Sequence, residues 1–406
     1  MSSKGKIDIE MNIDKIRADT PCINIYMNHP AASVPPMPVI EEVESYFRIA
    51  VKYGTKAQWV IGHFMERFFN AKKLIAKLIG ANSDEIAFTL NGSDAISIIA
   101  NGIDFKPGDN VVLSELRFIC NTIPWLRLKE IHGIEVRIVK ANKPGFIDLD
   151  HLRSQIDNNT KVVAIDHMPP NLGTIQPVRQ IAQIAHQKGS LLFLDACNTV
   201  GLVNIDVGDI GCDFMAVAGR KYLRGPTGTG FLYVKKEHIC NIRPSYIGWK
   251  TGTWDWDSDS YKDANSIDRF VTGEPNFPGI FGLGKAAEYI FEIGGISQIE
   301  NRVSMLTKYF LDNLHDVPNI EVYGPESSEG RAGLITFNLR GILPAKLSHF
   351  LNRQGIIVEA GHFFCPGVMR MYGIDSVVRM CVHYWNTKEE INEVVNLLKS
   401  NLADKC

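Results

Sequence analysis

Long apolar runs are missing from this 406-residue chain. No uncharged stretch approaches the roughly 18 residues that a membrane-spanning helix needs, so no membrane role is expected. The amino terminus, MSSKGKIDIEMNIDKIRADT, is charged every few residues and lacks the apolar core of a secretory signal. Basic blocks are missing too. Lys and Arg number 43 against 45 Asp and Glu, a formal charge of −2, which provides no electrostatic footprint for nucleic acid. Cysteines stand at 22, 120, 197, 212, 240, 365, 381 and 406, with no CxxC pair. Thiols scattered in this way argue against a disulfide scaffold and against a metal site of the zinc type, and they fit a cytoplasmic protein. Internal repeats and low-complexity tracts are also absent.

What remains is an ordinary globular composition, 45% apolar and 22% charged, on a chain long enough for two domains. From about residue 71 to 237, short β-branched runs alternate with helical patterns. The runs are EIAFTL (85–90), DNVVLSE (109–115), VRIVKA (136–141), KVVAIDH (161–167), SLLFLDA (190–196), FMAVAG (214–219) and GTGFLYV (228–234). Apolar runs spaced by helices indicate an α/β fold with a large, mostly parallel sheet. Beyond Gly273 the pattern changes to two long amphipathic helices within 282–314, further strands, and a last helix opened by Thr387 and Glu390 as a capping box. The expected organisation is an N-terminal segment, 1–45, packing near the active site and the small domain. A large domain then covers 46–280, and a smaller α+β domain covers 281–406.

Polar residues fall just after the strands, where open α/β sheets bind ligands. Asp195 ends the apolar run SLLFLDA and either caps the next turn or pairs with a cation. Lys221 follows the next run, FMAVAG, so adjacent parallel strands would bring both to one edge of the sheet. An acid and a lysine so placed suit pyridoxal 5′-phosphate: the lysine forms a Schiff base and the acid keeps the pyridine nitrogen protonated. TLNGSDAISII adds a turn at Asn91-Gly92-Ser93 running into a helix, which serves either as a simple cap or as an anion cradle. Arg220 can reach the same phosphate with a charge-assisted contact.

These stretches carry a family resemblance. DACNTVGLVNIDVGDIGCDFMAVAGRKYLRGPTGTGFLYV resembles the signature of class V, fold type I pyridoxal-phosphate enzymes, and matching segments follow in order along nearly the whole chain. The resemblance implies a fold type I transferase architecture, a small-molecule amino-acid substrate and a homodimer. It implies that Lys221 holds the cofactor, Asp195 faces its ring nitrogen and Asn198 lies near its ring hydroxyl. Gly92, Ser93, Asp94 and Arg220 would surround the phosphate, with Gly273 supplied by the second subunit. Phe118 falls at the position that stacks on the ring, where cysteine desulfurases have His. Phe stacks but cannot carry a proton. Arg379 matches the arginine that grips the substrate carboxylate, with Asn28 and His362 nearby.

Some positions depart from the pattern. Glu274 replaces a Thr that touches the phosphate, and is expected to turn to Arg220, Arg224 or the substrate. Glu359 stands where desulfurases often have Arg, and Pro170 where they have Asn, with Asn171 one position late. Cys365 lies one residue beyond the desulfurase nucleophile, whose place Phe364 takes, and is expected to be half-buried and unreactive. Glu274 and Glu359, with Trp249, Trp254 and Trp256, are expected either to receive a cationic substrate end or, for the tryptophans, to pack at a dimer contact. The resemblance lies toward desulfurases, selenocysteine lyases, isopenicillin-N-epimerase-like proteins and hercynylcysteine sulfoxide lyases. It implies C–S cleavage by β-elimination on a cysteine-derived substrate or its sulfoxide. Desulfuration or selenocysteine lysis through Cys365, transamination and epimerisation are the alternatives.

Overall fold

The computed structural model describes residues 11–400. Residues 1–10, half of the segment read as lacking a secretory signal, and 401–406, with Cys406, lie outside the described residues.

The β-branched runs form one seven-stranded sheet: β1 (Ile86–Thr89), β2 (Asn110–Ser114), β3 (Glu135–Val139), β4 (Thr160–Asp166), β5 (Leu191–Asp195), β6 (Phe214–Ala218) and β7 (Gly230–Val234). Their spatial order is β1-β7-β6-β5-β4-β2-β3. β2, β6 and β7 are buried throughout, as strands covered on both faces must be. Every strand runs the same way except β7, which is antiparallel to both neighbours. The reason is the length of the connection. A parallel return needs a crossover of about a dozen residues or more, usually helical, and only residues 219–229 separate β6 from β7.

The carboxyl ends of β1, β2, β4, β5 and β6 therefore meet at one edge, and each feeds a polar loop. β1 leads through Asn91 into the helix Gly92–Gly102, whose first turn is capped by the Asn91 side chain on the Asp94 N–H, 2.9 Å. Glycine suits Gly92, because a Cβ would lie 2.2 Å from the Cys197 Sγ and that side chain would have to move.

A second, antiparallel sheet orders Ile320–Tyr323, Leu334–Leu339, Val377–Cys381 and Glu359–Gly361. The amphipathic helices are Phe277–Glu292 and Ile296–Leu314, and Leu306, Phe310 and Leu314 of the latter pack with Ile335 and Phe337 of this sheet. Helix Lys388–Lys399 opens on the capping box of Thr387 and Glu390. The N-terminal strand Ile25–Tyr26 pairs in parallel with Ile356–Ile357, and the Cys381 N–H donates to the Met27 carbonyl at 2.8 Å. Those bonds carry Asn28 to the side of Arg379. Among the described residues no helix is long and apolar enough to cross a membrane.

Candidate active site

A cavity of about 780 Å³ opens where the strand ends converge, and it reaches across to the second sheet. Asp195, which ends β5, and Lys221, three residues beyond the end of the adjacent parallel strand β6, both line it. Lys221 is 8% exposed, and burial holds its ammonium below the usual lysine range. Its Nζ donates to Asn198 Oδ1 at 3.0 Å and lies 5.7 Å from the centre of the Phe118 ring. Asn198 in turn donates to the Met168 carbonyl at 3.3 Å, which fixes the amide toward the lysine. Asp195 accepts the Cys197 N–H at 2.9 Å, so it does cap the next turn while remaining on the cavity wall.

Gly92, Ser93 and Arg220 also line the cavity. The Ser93 hydroxyl donates to the Cys120 Sγ at 2.9 Å. Asp94 is turned away: its carboxylate accepts the Leu90 N–H at 3.0 Å, outside the cavity lining. Gly273 and Glu274 are also outside that lining. They border a neighbouring cavity that shares Leu90, Gly228 and Thr229 with the first. Glu274 does not meet Arg220 or Arg224, as the sequence led us to expect; it is half-exposed and pairs with Lys56 at 3.3 Å. Arg224 is wholly internal and bonds Val34 O, Tyr384 Oη and Thr20 Oγ1. Its task is to tie the β6–β7 loop to the N-terminal segment and the C-terminal strand region.

On the far wall Arg379 is 4% exposed and forks between Pro170 O (2.7 Å), Asn28 Oδ1 (3.3 Å) and Glu359 Oε2 (3.0 Å). The Phe363 ring lies 3.8 Å from its guanidinium. His362 lines the cavity and accepts the Phe364 N–H at 3.0 Å. Asn171 points instead at the carbonyls of His362 and Cys365 and pins that loop. Cys365 is fully buried, not half-buried, and its thiol donates to the Leu116 carbonyl at 2.9 Å. Burial pushes that thiol far above its ordinary range, so it stays protonated. Trp254 and Trp256 stack with 4.3 Å between ring centres on the exposed hairpin Gly252–Asp255/Ser260–Asp263. They and Trp249 lie outside the lining of this cavity.

One residue went unnoticed in the sequence. Asp166 ends β4 directly opposite Asp195 in register. Its carboxylate accepts the Phe118 N–H at 2.7 Å and the Asn121 amide at 2.8 Å. Burial, and then the charge of Asp195, push Asp166 well above the carboxylate range.

The sequence profile described as "Aminotransferase class-V" matches residues 25–394. The chain belongs to that family. A probable cysteine desulfurase of Methanothermobacter thermautotrophicus is 33% identical over 390 residues, covering 94% of this chain and 96% of the relative. The cysteine desulfurase of Thermococcus onnurineus NA1 superposes with a TM-score of 0.90 at 29% identity over the whole of both chains. The cystine C–S lyase C-DES, in complex with its product cysteine persulfide, superposes with a TM-score of 0.85 at 20% identity, over 94% of this chain and 99% of the other. Class V membership makes this a pyridoxal-phosphate-dependent enzyme of fold type I. The residues fit the cofactor: a helix start crowded at Gly92 by Cys197, a cation beside it, and a buried lysine just past the strand next to that of a carboxylate.

Proposed function

We propose that this enzyme cleaves a C–S bond by β-elimination in a cysteine-derived amino acid or its sulfoxide, with no persulfide formed on its own chain. The observation that carries the reading is the placement of Cys365. It supports a site with the lysine, acid and arginine of amino-acid chemistry but no thiolate on the 362–365 loop. Curated relatives named as cysteine desulfurases support C–S chemistry, and the structure named for cystine C–S lysis shares the fold.

Bound pyridoxal phosphate supplies an electron sink that makes the substrate α-proton acidic. Lys221 would hold the cofactor and, when freed, take that proton on Nζ. Burial favours its neutral form, which a base requires. Gly92 and Ser93 at the helix start and Arg220 would hold the phosphate. Asp195 would face the ring nitrogen and Phe118 would cover the ring. Phe118 carries no proton, so acid–base work rests on Lys221. Arg379 would take the substrate carboxylate, with Asn28 holding the guanidinium and His362 bordering the entrance.

We infer a homodimer as well. Gly273 and Glu274 lie off the cavity of their own protomer, and the exposed Trp249, Trp254 and Trp256 give a second copy apolar surface to cover. Sedimentation at micromolar concentration tests this, and a monomer that turns over at full rate would exclude it. For the reaction, mass spectrometry of the chain after turnover with cysteine and with an S-substituted cysteine is the test. An unmodified Cys365 supports elimination, and a sulfur adduct on it excludes this reading.

A further inference from the structure

Arg379 meets Glu359 across the antiparallel pair Glu359–Gly361/Val377–Cys381, where the two residues stand in direct register. Glu359 Oε2 sits 3.0 Å from Nη2, and Asn28 Oδ1 shares that nitrogen. Nη1 is committed to Pro170 O, while the buried Nε has no hydrogen-bond partner. A carboxylate that binds an arginine side-on uses Nε and one Nη together. That edge of Arg379 therefore has one unpaired donor and one donor held by Glu359.

A substrate carboxylate arriving there comes beside the Glu359 carboxylate. Arg379 is nearly sealed, whereas Glu359 is half-exposed, so the glutamate is the partner that yields. Glu359 lines the cavity next to His362, and the other acid of the lining, Asp195, belongs to the cofactor side. Once displaced, Glu359 is an unpaired anion at the substrate end of the cavity.

We propose that Glu359 selects cysteine derivatives whose sulfur substituent ends in a cation, by releasing Arg379 to the substrate's carboxylate and pairing with its distal ammonium. This rests on the C–S lyase reading above, and it narrows the substrate class. Glu274 and the tryptophans play no part in it within one protomer, because they lie off this cavity.

The test uses the holoenzyme with S-(2-aminoethyl)-L-cysteine, S-propyl-L-cysteine and S-carboxymethyl-L-cysteine. Dissociation constants from calorimetry and kcat/KM are both read, for the wild type, Glu359→Gln and Glu359→Lys. The wild type should prefer the aminoethyl compound and disfavour the carboxymethyl one. Glu359→Gln should weaken binding of the first by about fivefold and tighten that of the last by a similar factor, the scale of a half-exposed ion pair. Glu359→Lys should invert the order. Substitutions that move all three compounds together, or leave their order unchanged, overturn the proposal. If the binding order follows charge while none of the three is cleaved, the lyase reading fails and the charge selection stands. If all three are cleaved without regard to charge, the reverse holds.

Discussion

Asp166 stands opposite Asp195 on the neighbouring strand and holds the backbone of Phe118 through a 2.7 Å hydrogen bond. Asp195 and Phe118, proposed to face and to cover the cofactor ring, are thus tied to two adjacent strand ends. Asn121 extends the tie, because it donates to Asp166 and accepts from the buried Trp125 indole at 3.0 Å.

Removing the Asp166 carboxylate frees both donors without opening a large void. Asp166→Ala should release pyridoxal phosphate about tenfold faster, an effect of about 1.4 kcal/mol. Global stability should fall by no more than about 3 kcal/mol. Cofactor absorbance followed after dilution into a scavenger checks the first, and denaturant unfolding the second.

Arg224 is the most heavily committed cation of the β6–β7 loop. It takes a left-handed φ of 62°, and its three side-chain bonds hold it there. Arg224→Met leaves the Thr20, Tyr384 and Val34 oxygens without their donor. A loss of about 2–4 kcal/mol in denaturant unfolding is expected. The cavity residues should keep their places, so turnover per folded molecule should stay within about threefold.

Buried imidazoles should weaken the fold in acid. Burial lowers His167 to about 4, and burial with Arg224 nearby lowers His29 to about 3, while burial drives His383 well down. These folded values lie below the unfolded value of about 6.5, so the unfolded chain binds more protons in between. Their contribution is complete above about pH 6.5 and is lost as pH falls toward 4 and then 3. Each imidazole should cost about 1.4 kcal/mol per pH unit across its window. Urea midpoints measured from pH 7 to 5 should fall steadily, and His167→Gln should flatten the slope.

Cys365 packs against Leu116 and donates to its carbonyl. Cys365→Ala should lower stability by about 1–2 kcal/mol and change kcat by less than about twofold. A kcat loss of two orders of magnitude with cysteine as substrate would mark it as a nucleophile after all.

The strand pattern and the Lys221–Asp195 pair were legible because buried parallel strands write continuous apolar runs, with Asp195 closing one run and Lys221 two residues past the next. Thr387 and Glu390 were legible for a local reason, since a capping box spans three residues. Asp166 was not. It ended the run KVVAIDH as plainly as Asp195 ended its own, but only the strand order places the two acids side by side. Arg224, Glu274 and Cys365 failed in the same way. Their partners at Thr20, Lys56 and Leu116 lie 204, 218 and 249 positions away, and no local spacing encodes such contacts. The antiparallel course of β7 is encoded in the short 219–229 connection, which leaves no room for a parallel crossover.

Elimination with Lys221 as the base is tested by product stoichiometry with an S-substituted cysteine or its sulfoxide, for the wild type beside Lys221→Ala. Pyruvate and ammonia in equal amounts are expected from the wild type, with a fall of at least about 10²-fold in the variant. Alanine with a persulfide, a keto acid without ammonia, or a Lys221→Ala enzyme at full rate would contradict it.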